Sequence, residues 1–238
     1  SASLPPFEGK HKVFIIDGAE LLSVDAANRF LKTLEEPESN VTFILITTNE
    51  KLLLPTVISR CQRIEFQPVP VAAEAAALIK QLGIDAERAR LLAALSRGCP
   101  GWAIMAAGNE SILEKRSEDL DRLVSIIKAD PAERFNYASQ LAAGFTKDRK
   151  GVYDVIGTWQ DYWRDMMLAK LGQDGLMKNI DRKDEIIKIA GGFSLADIKD
   201  FIQRLGAAAV QLKQNVNPRL ALEVLMLDLP AGVISSPV

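Results

Sequence analysis

A chain of 238 residues, 48% hydrophobic and 25% charged, has the composition of a globular protein large enough for one big domain or about two to three small ones. A net charge of −2 gives no overall basic field for nucleic acid, and two cysteines with a single histidine exclude a disulfide framework and a His-rich metal cluster. No apolar run reaches the roughly 18 residues of a membrane span and no signal peptide opens the chain, so a reducing cytoplasm is the expected compartment.

Residues 1–12 form a short polar, Pro-containing lead that runs at once into the apolar tetrad Val13-Phe14-Ile15-Ile16. A continuous apolar run predicts a strand buried on both faces of a parallel sheet. Parallel sheets rarely open on such a strand, so an N-terminal portion is expected to precede this one. Ser23 or Asp25 can cap the following helix, whose Ala27, Phe30, Leu31 and Leu34 keep helical spacing up to Pro37. Residues 41–47 (VTFILIT) predict a second buried strand and 52–59 a helical turn. Alternation over 63–67 (RIEFQ) predicts a third strand. Strands alternating with helices imply right-handed parallel crossovers, hence an α/β sheet.

After Pro68 and Pro70 the pattern turns helical. A small unit over 70–109 should hold helices near 71–82, 85–96 and 100–108, broken at Gly83 and Gly98-Cys-Pro-Gly101. A larger all-α region over 110–230 should hold helices near 110–128, 131–145, 148–171, 181–190, 194–215 and 217–228, punctuated by Pro131, Gly144, Gly172, Gly191-Gly192 and Pro218. The tail 231–238 lacks periodicity and is expected to fray. The fold class is therefore α/β followed by all-α.

Asp17 closes the first strand, where open α/β sheets place ligands. There it could hold the Mg²⁺ of a nucleotide, or cap the turn at Gly18. No Gly-x4-Gly-Lys-Ser/Thr phosphate loop occurs in the 238 residues; the nearest candidate, Gly9-Lys10, has Leu4 and His11 in the wrong places and precedes a strand. Gly18 cannot orient an attacking water as a carboxylate would. Self-contained ATP hydrolysis is therefore not expected.

Arg60, between Ser59 and Cys61, reads either as a surface loop arginine or as a guanidinium offered across an interface to a γ-phosphate. Thr47, Thr48 and Asn49 end the second strand, where they could hold a water or cap a turn. Trp159, Tyr162 and Trp163 sit at helical spacing and read as core rather than as a base-stacking platform. Lys178, Arg182, Lys183 and Lys188 are interleaved with Asp181, Asp184 and Glu185, the pattern of a solvated helix face.

Three stretches together are specific: Asp17-Gly-Ala-Glu-Leu-Leu, Ala26-Ala-Asn-Arg-Phe-Leu-Lys-Thr-Leu-Glu-Glu-Pro37, and Thr47-Thr-Asn followed by Leu54-Pro-Thr-Val-Ile-Ser-Arg-Cys-Gln62. They resemble the bacterial DNA polymerase III clamp-loader subunits, and among them delta-prime. The resemblance is dense over 12–67, weak at Gly98-Cys-Pro-Gly-Trp102, and architectural beyond 110. It implies the C-terminal part of a RecA-like AAA+ domain over 1–69, a helical lid over 70–109, and a collar over 110–230 through which five subunits form a ring.

The resemblance also implies the roles of single residues. Asp17 matches the Walker B aspartate, Thr48 falls in the sensor 1 region, and Ser59-Arg60-Cys61 matches the motif whose arginine acts on the ATP of the adjacent subunit. Gly18 stands where the ATPase subunits have the Walker B glutamate, and Trp102 where they have the sensor 2 arginine. Both departures favour delta-prime over gamma/tau. Asp17 and Thr48 are then remnants, with ATP and Mg²⁺ held by the neighbour and no cofactor or metal of the chain's own. The implied partners are gamma/tau and delta and, indirectly, the sliding clamp and primer-template DNA. The chain would be a component of DNA polymerase III and no enzyme alone. The alternatives are a truncated gamma/tau ATPase, or an AAA+-derived interaction scaffold.

Overall fold

A computed structural model describes residues 11–36, 40–214 and 216–232. Pro37, most of the expected lead and most of the expected tail lie outside these residues. The chain divides into two compact units, 1–66 and 67–238.

The first unit is α/β. Strand β1 (Lys12–Asp17) pairs in parallel with β2 (Val41–Ile46), with Lys12 opposite Val41 and Asp17 opposite Ile46. Between them runs helix α1 (Val24–Glu35), capped by the Ser23 side chain, which accepts from the Ala26 N–H. Parallel strands require such a crossover. A short helix α2 (Pro55–Ile58) follows, with proline at its first position, where the missing N–H costs nothing.

One face of the sheet packs on α1: the Phe14 and Phe43 rings stack at 5.2 Å, and Phe30 meets Phe43 edge-on at 5.0 Å. The expectation of strands buried on both faces fails here. Burial alternates along both strands, and Val13 and Ile15 are 57% and 64% exposed, with Ile44 and Ile46 also exposed. A helix crossover covers the side it crosses, and among the described residues of this unit nothing covers the other. The third strand expected over 63–67 is also absent: that stretch pairs with no strand, and Ile64 and Phe66 are exposed. Alternation shows that a segment can pair, and pairing also needs a free strand edge beside it.

The second unit is helical. Helices α3 (Val71–Leu82), α4 (Ala86–Leu95) and α5 (Pro100–Gly108) enclose a small core of Ala75, Leu78, Ala89, Leu92, Ala93, Ala103 and Ala106, against which Trp102 packs. Helices α6 (Ser111–Lys128), α7 (Pro131–Phe145), α8 (Arg149–Lys170), α9 (Lys183–Ala190), α10 (Leu195–Lys213) and α11 (Pro218–Leu227) surround a larger one. Its centre is α8, whose Trp159, Tyr162 and Trp163 are at most 1% exposed. The Trp163 ring lies 4.6 Å from Phe201 and 5.3 Å from Phe193. The aromatic trio is core.

Polar side chains fasten this unit where helices alone do not. Buried Asp165 accepts from the backbone N–H of Lys178 and Asn179 and from Asn179 Nδ2, which pins the 174–182 segment to α8. Arg97 donates from Nε and Nη2 to Asp161, and Lys178 binds the other Asp161 oxygen, joining the end of α4 to α8. Gly98 has a left-handed φ of 77°, and a Cβ there would come 2.8 Å from the Val69 nitrogen. Only glycine fits that close approach of the 68–69 segment. The mixed-charge stretch 178–188 is largely ion-paired, Arg182 to Asp121 and Lys183 to Asp174. No helix among the described residues is long and apolar enough to cross a membrane.

Candidate functional site

The carboxyl ends of β1 and β2 bring together some of the residues singled out from the sequence, Asp17 and the stretch 47–49. Asp17 ends β1 opposite Ile46, so it lies beside the turn that carries Thr47, Thr48 and Asn49, and it is exposed. Gly18 follows with φ 68°, in the left-handed region, and a Cβ there would sit 3.2 Å from Leu21. A glutamate at that position would be strained in this backbone.

The turn after β2 divides its labour. Thr47 Oγ1 accepts from the Asn49 N–H, and Asn49 Oδ1 accepts from the Lys51 N–H, so both cap the turn. Thr48 instead donates its hydroxyl to Glu20 Oε1 at 3.1 Å. Hydrogen bonding, from Thr47 first and also from Thr48, holds the Glu20 carboxyl below its ordinary range. Sequence reasoning passed over Glu20. Its partners lie 27 and 28 positions away, and no spacing rule reaches that far.

Arg60 stands at the end of α2. Its backbone N–H bonds to the Val57 carbonyl, closing a last turn beyond the helix. Its side chain is 35% exposed, so the guanidinium faces solvent rather than an apolar interior. Nη1 donates to the Thr56 carbonyl at 3.0 Å and to Ser59 Oγ at 3.3 Å, and Nη2 donates to Glu35 Oε1 at 2.6 Å. Buried Val57 anchors the turn beneath it. Ser59 donates its own hydroxyl to the Thr56 carbonyl, so serine orients arginine through a shared acceptor. Cys61 is exposed, and partial desolvation raises its thiol above the ordinary range, which removes it as a ready thiolate. Glu35 was also missed, because an ion pair between α1 and the end of α2 is a tertiary fact.

Trp102, noted for standing where an arginine would, packs in the small core of the helical unit. No group of three or more His, Cys, Asp or Glu among the described residues could hold a metal ion.

Residues 1–70 match the family described as DNA polymerase III, delta subunit. DNA polymerase III subunit delta' of Bacillus subtilis (strain 168) is 28% identical over 225 residues, covering 94% of this chain and 68% of that protein. Subunit delta' of Pseudomonas aeruginosa is 30% identical over 207 residues, covering 86% of this chain and 56% of that one. Subunit tau of B. subtilis is 28% identical over 241 residues, covering 90% of this chain and 41% of that protein. The chain thus spans roughly two fifths to two thirds of the length of these three relatives. By these matches the chain is similar over residues 1–70 to the DNA polymerase III delta subunit family, and over most of its length to delta' and tau subunits of DNA polymerase III.

Proposed function

We propose that this chain acts as a delta'-type subunit of the clamp loader, hydrolysing no ATP itself and lending Arg60 to the ATP bound by a neighbouring subunit. The observation that carries this reading is the Arg60 guanidinium: solvent-facing, on a short anchored turn, inside Ser59-Arg60-Cys61. A guanidinium spreads its charge over donors in a rigid fork and meets developing charge on a transferring phosphoryl group without reorganising. Such a group is worth ~10³–10⁵ in turnover.

The left-handed backbone at Gly18 supports the non-hydrolysing half of the proposal, since it disfavours a water-orienting carboxylate beside Asp17. Asp17 and Thr48 are on this reading remnants of a nucleotide site. Residues 70–109 serve as the lid and 110–230 as the collar that anchors the ring. ATP and Mg²⁺ sit on the neighbour. Their binding favours the open clamp, and hydrolysis after primer-template engagement releases it.

The test is Arg60→Ala and Arg60→Lys in the reconstituted complex. DNA-stimulated ATP turnover should fall steeply in both, because lysine keeps the charge and loses the fork, while subunit assembly by size-exclusion chromatography stays intact. Unchanged turnover would refute the role of Arg60. A second reading, part of a tau/gamma ATPase, draws on the match to subunit tau over 90% of this chain. The upstream gene sequence separates the two, since an ATPase subunit must encode Gly-x4-Gly-Lys-Ser/Thr.

A further inference from the structure

The ion pair on Arg60 is placed where a carboxylate is not favoured on its own. Glu35 is the last residue of α1 and Glu36 is its C-cap, so two acidic side chains crowd the negative end of the helix dipole. Arg60 offsets that placement: Nη2 meets Glu35 Oε1 at 2.6 Å, while Nη1 is held by the Thr56 carbonyl and Ser59 Oγ of its own turn. The two halves of the guanidinium therefore have different partners. One half is fixed within α2 and its end, and the other holds an anion supplied by a different helix. Glu35 is 50% exposed, so this partner sits at the water boundary. A half-exposed pair of this kind is weak and exchangeable.

We propose that Glu35 is a displaceable counter-anion for Arg60, occupying the Nη2 edge of the guanidinium until a phosphate oxygen takes its place, while Thr56 and Ser59 keep the other edge aimed. The proposal rests on the reading that Arg60 acts on a neighbour's nucleotide. The Thr56 and Ser59 contacts survive the exchange, so only the Glu35 bond is traded for a bond to phosphate. Glu35 and phosphate compete for the same Nη2 donor, and removing the competitor strengthens nucleotide engagement.

The experiment uses the reconstituted complex carrying Glu35→Gln, which keeps shape and an acceptor oxygen but no charge, with Glu35→Ala as a second variant. The apparent KM for ATP in DNA-stimulated turnover should fall roughly 2- to 5-fold, more than kcat changes. In an Arg60→Ala background the same substitution should leave KM where Arg60→Ala alone puts it. A KM that rises, stays level, or shifts equally without Arg60 overturns the role of Glu35 while leaving Arg60 in place. Unchanged turnover in Arg60→Ala alone instead sinks the underlying reading, and the Glu35 proposal with it.

Discussion

The two units of this chain bury apolar surface very differently. In the helical unit the largest side chains, Trp159, Tyr162 and Trp163, are essentially inaccessible. In the α/β unit Phe14, Phe30 and Phe43 pack together, yet Val13, Ile15, Ile44 and Ile46 leave the opposite sheet face open. Packing and motif are therefore divided: the helical unit carries the larger core, and the α/β unit carries the motif residues on a thin two-stranded support. Two strands and one crossover helix bury little, and their backbone hydrogen bonds should open more readily than those around α8.

The contrast can be broken first in the helical core. Trp163→Ala should cost about 3–5 kcal/mol in chemical denaturation of the chain. The indole N–H of Trp163 has no partner among the described residues, so its loss offsets part of that cost, and Trp163→Phe should be milder. A change below about 1 kcal/mol for the alanine variant would mean that the core is not packed as described.

Next comes the buried carboxylate that pins the 174–182 segment. Asp165→Ala strips acceptors from the Lys178 and Asn179 N–H groups and from Asn179 Nδ2, and should destabilise by about 3 kcal/mol. Hydrogen exchange over 174–182 should quicken in this variant, while α4 stays protected. Uniform quickening across the unit would contradict a local fastening.

The smallest effect belongs to the open sheet face. Ile15→Ser removes an apolar side chain that is already 64% exposed and should change stability by less than about 0.5 kcal/mol in the isolated chain. A loss of 2 kcal/mol or more would show that this face is covered in solution and would erase the difference between the units.

Much of this was readable in the sequence, and the successes and failures have distinct causes. Helices α7 and α11 begin at Pro131 and Pro218, and α3 ends at Gly83 with φ 67°, because local backbone chemistry sets those boundaries. The stretch 63–67 misled because alternation reports an amphipathic segment and not the presence of a neighbouring strand. The double burial inferred from Val13-Phe14-Ile15-Ile16 failed for a related reason: apolar runs record what a strand can bury, and the described unit covers one side only. At the candidate site, motif context singles out Asp17, Thr48 and Arg60 as the residues to test. The partners Glu20 and Glu35 carry no such signal, since each arrives from a different element through the fold.

The most direct measurement is DNA-stimulated ATP turnover by the complete clamp loader carrying Arg60→Ala in this subunit, at saturating ATP and with assembly verified. If this chain completes its neighbour's site, turnover at that site falls by ~10³ or more while the complex stays intact. Turnover equal to that of the unmodified complex would contradict the account.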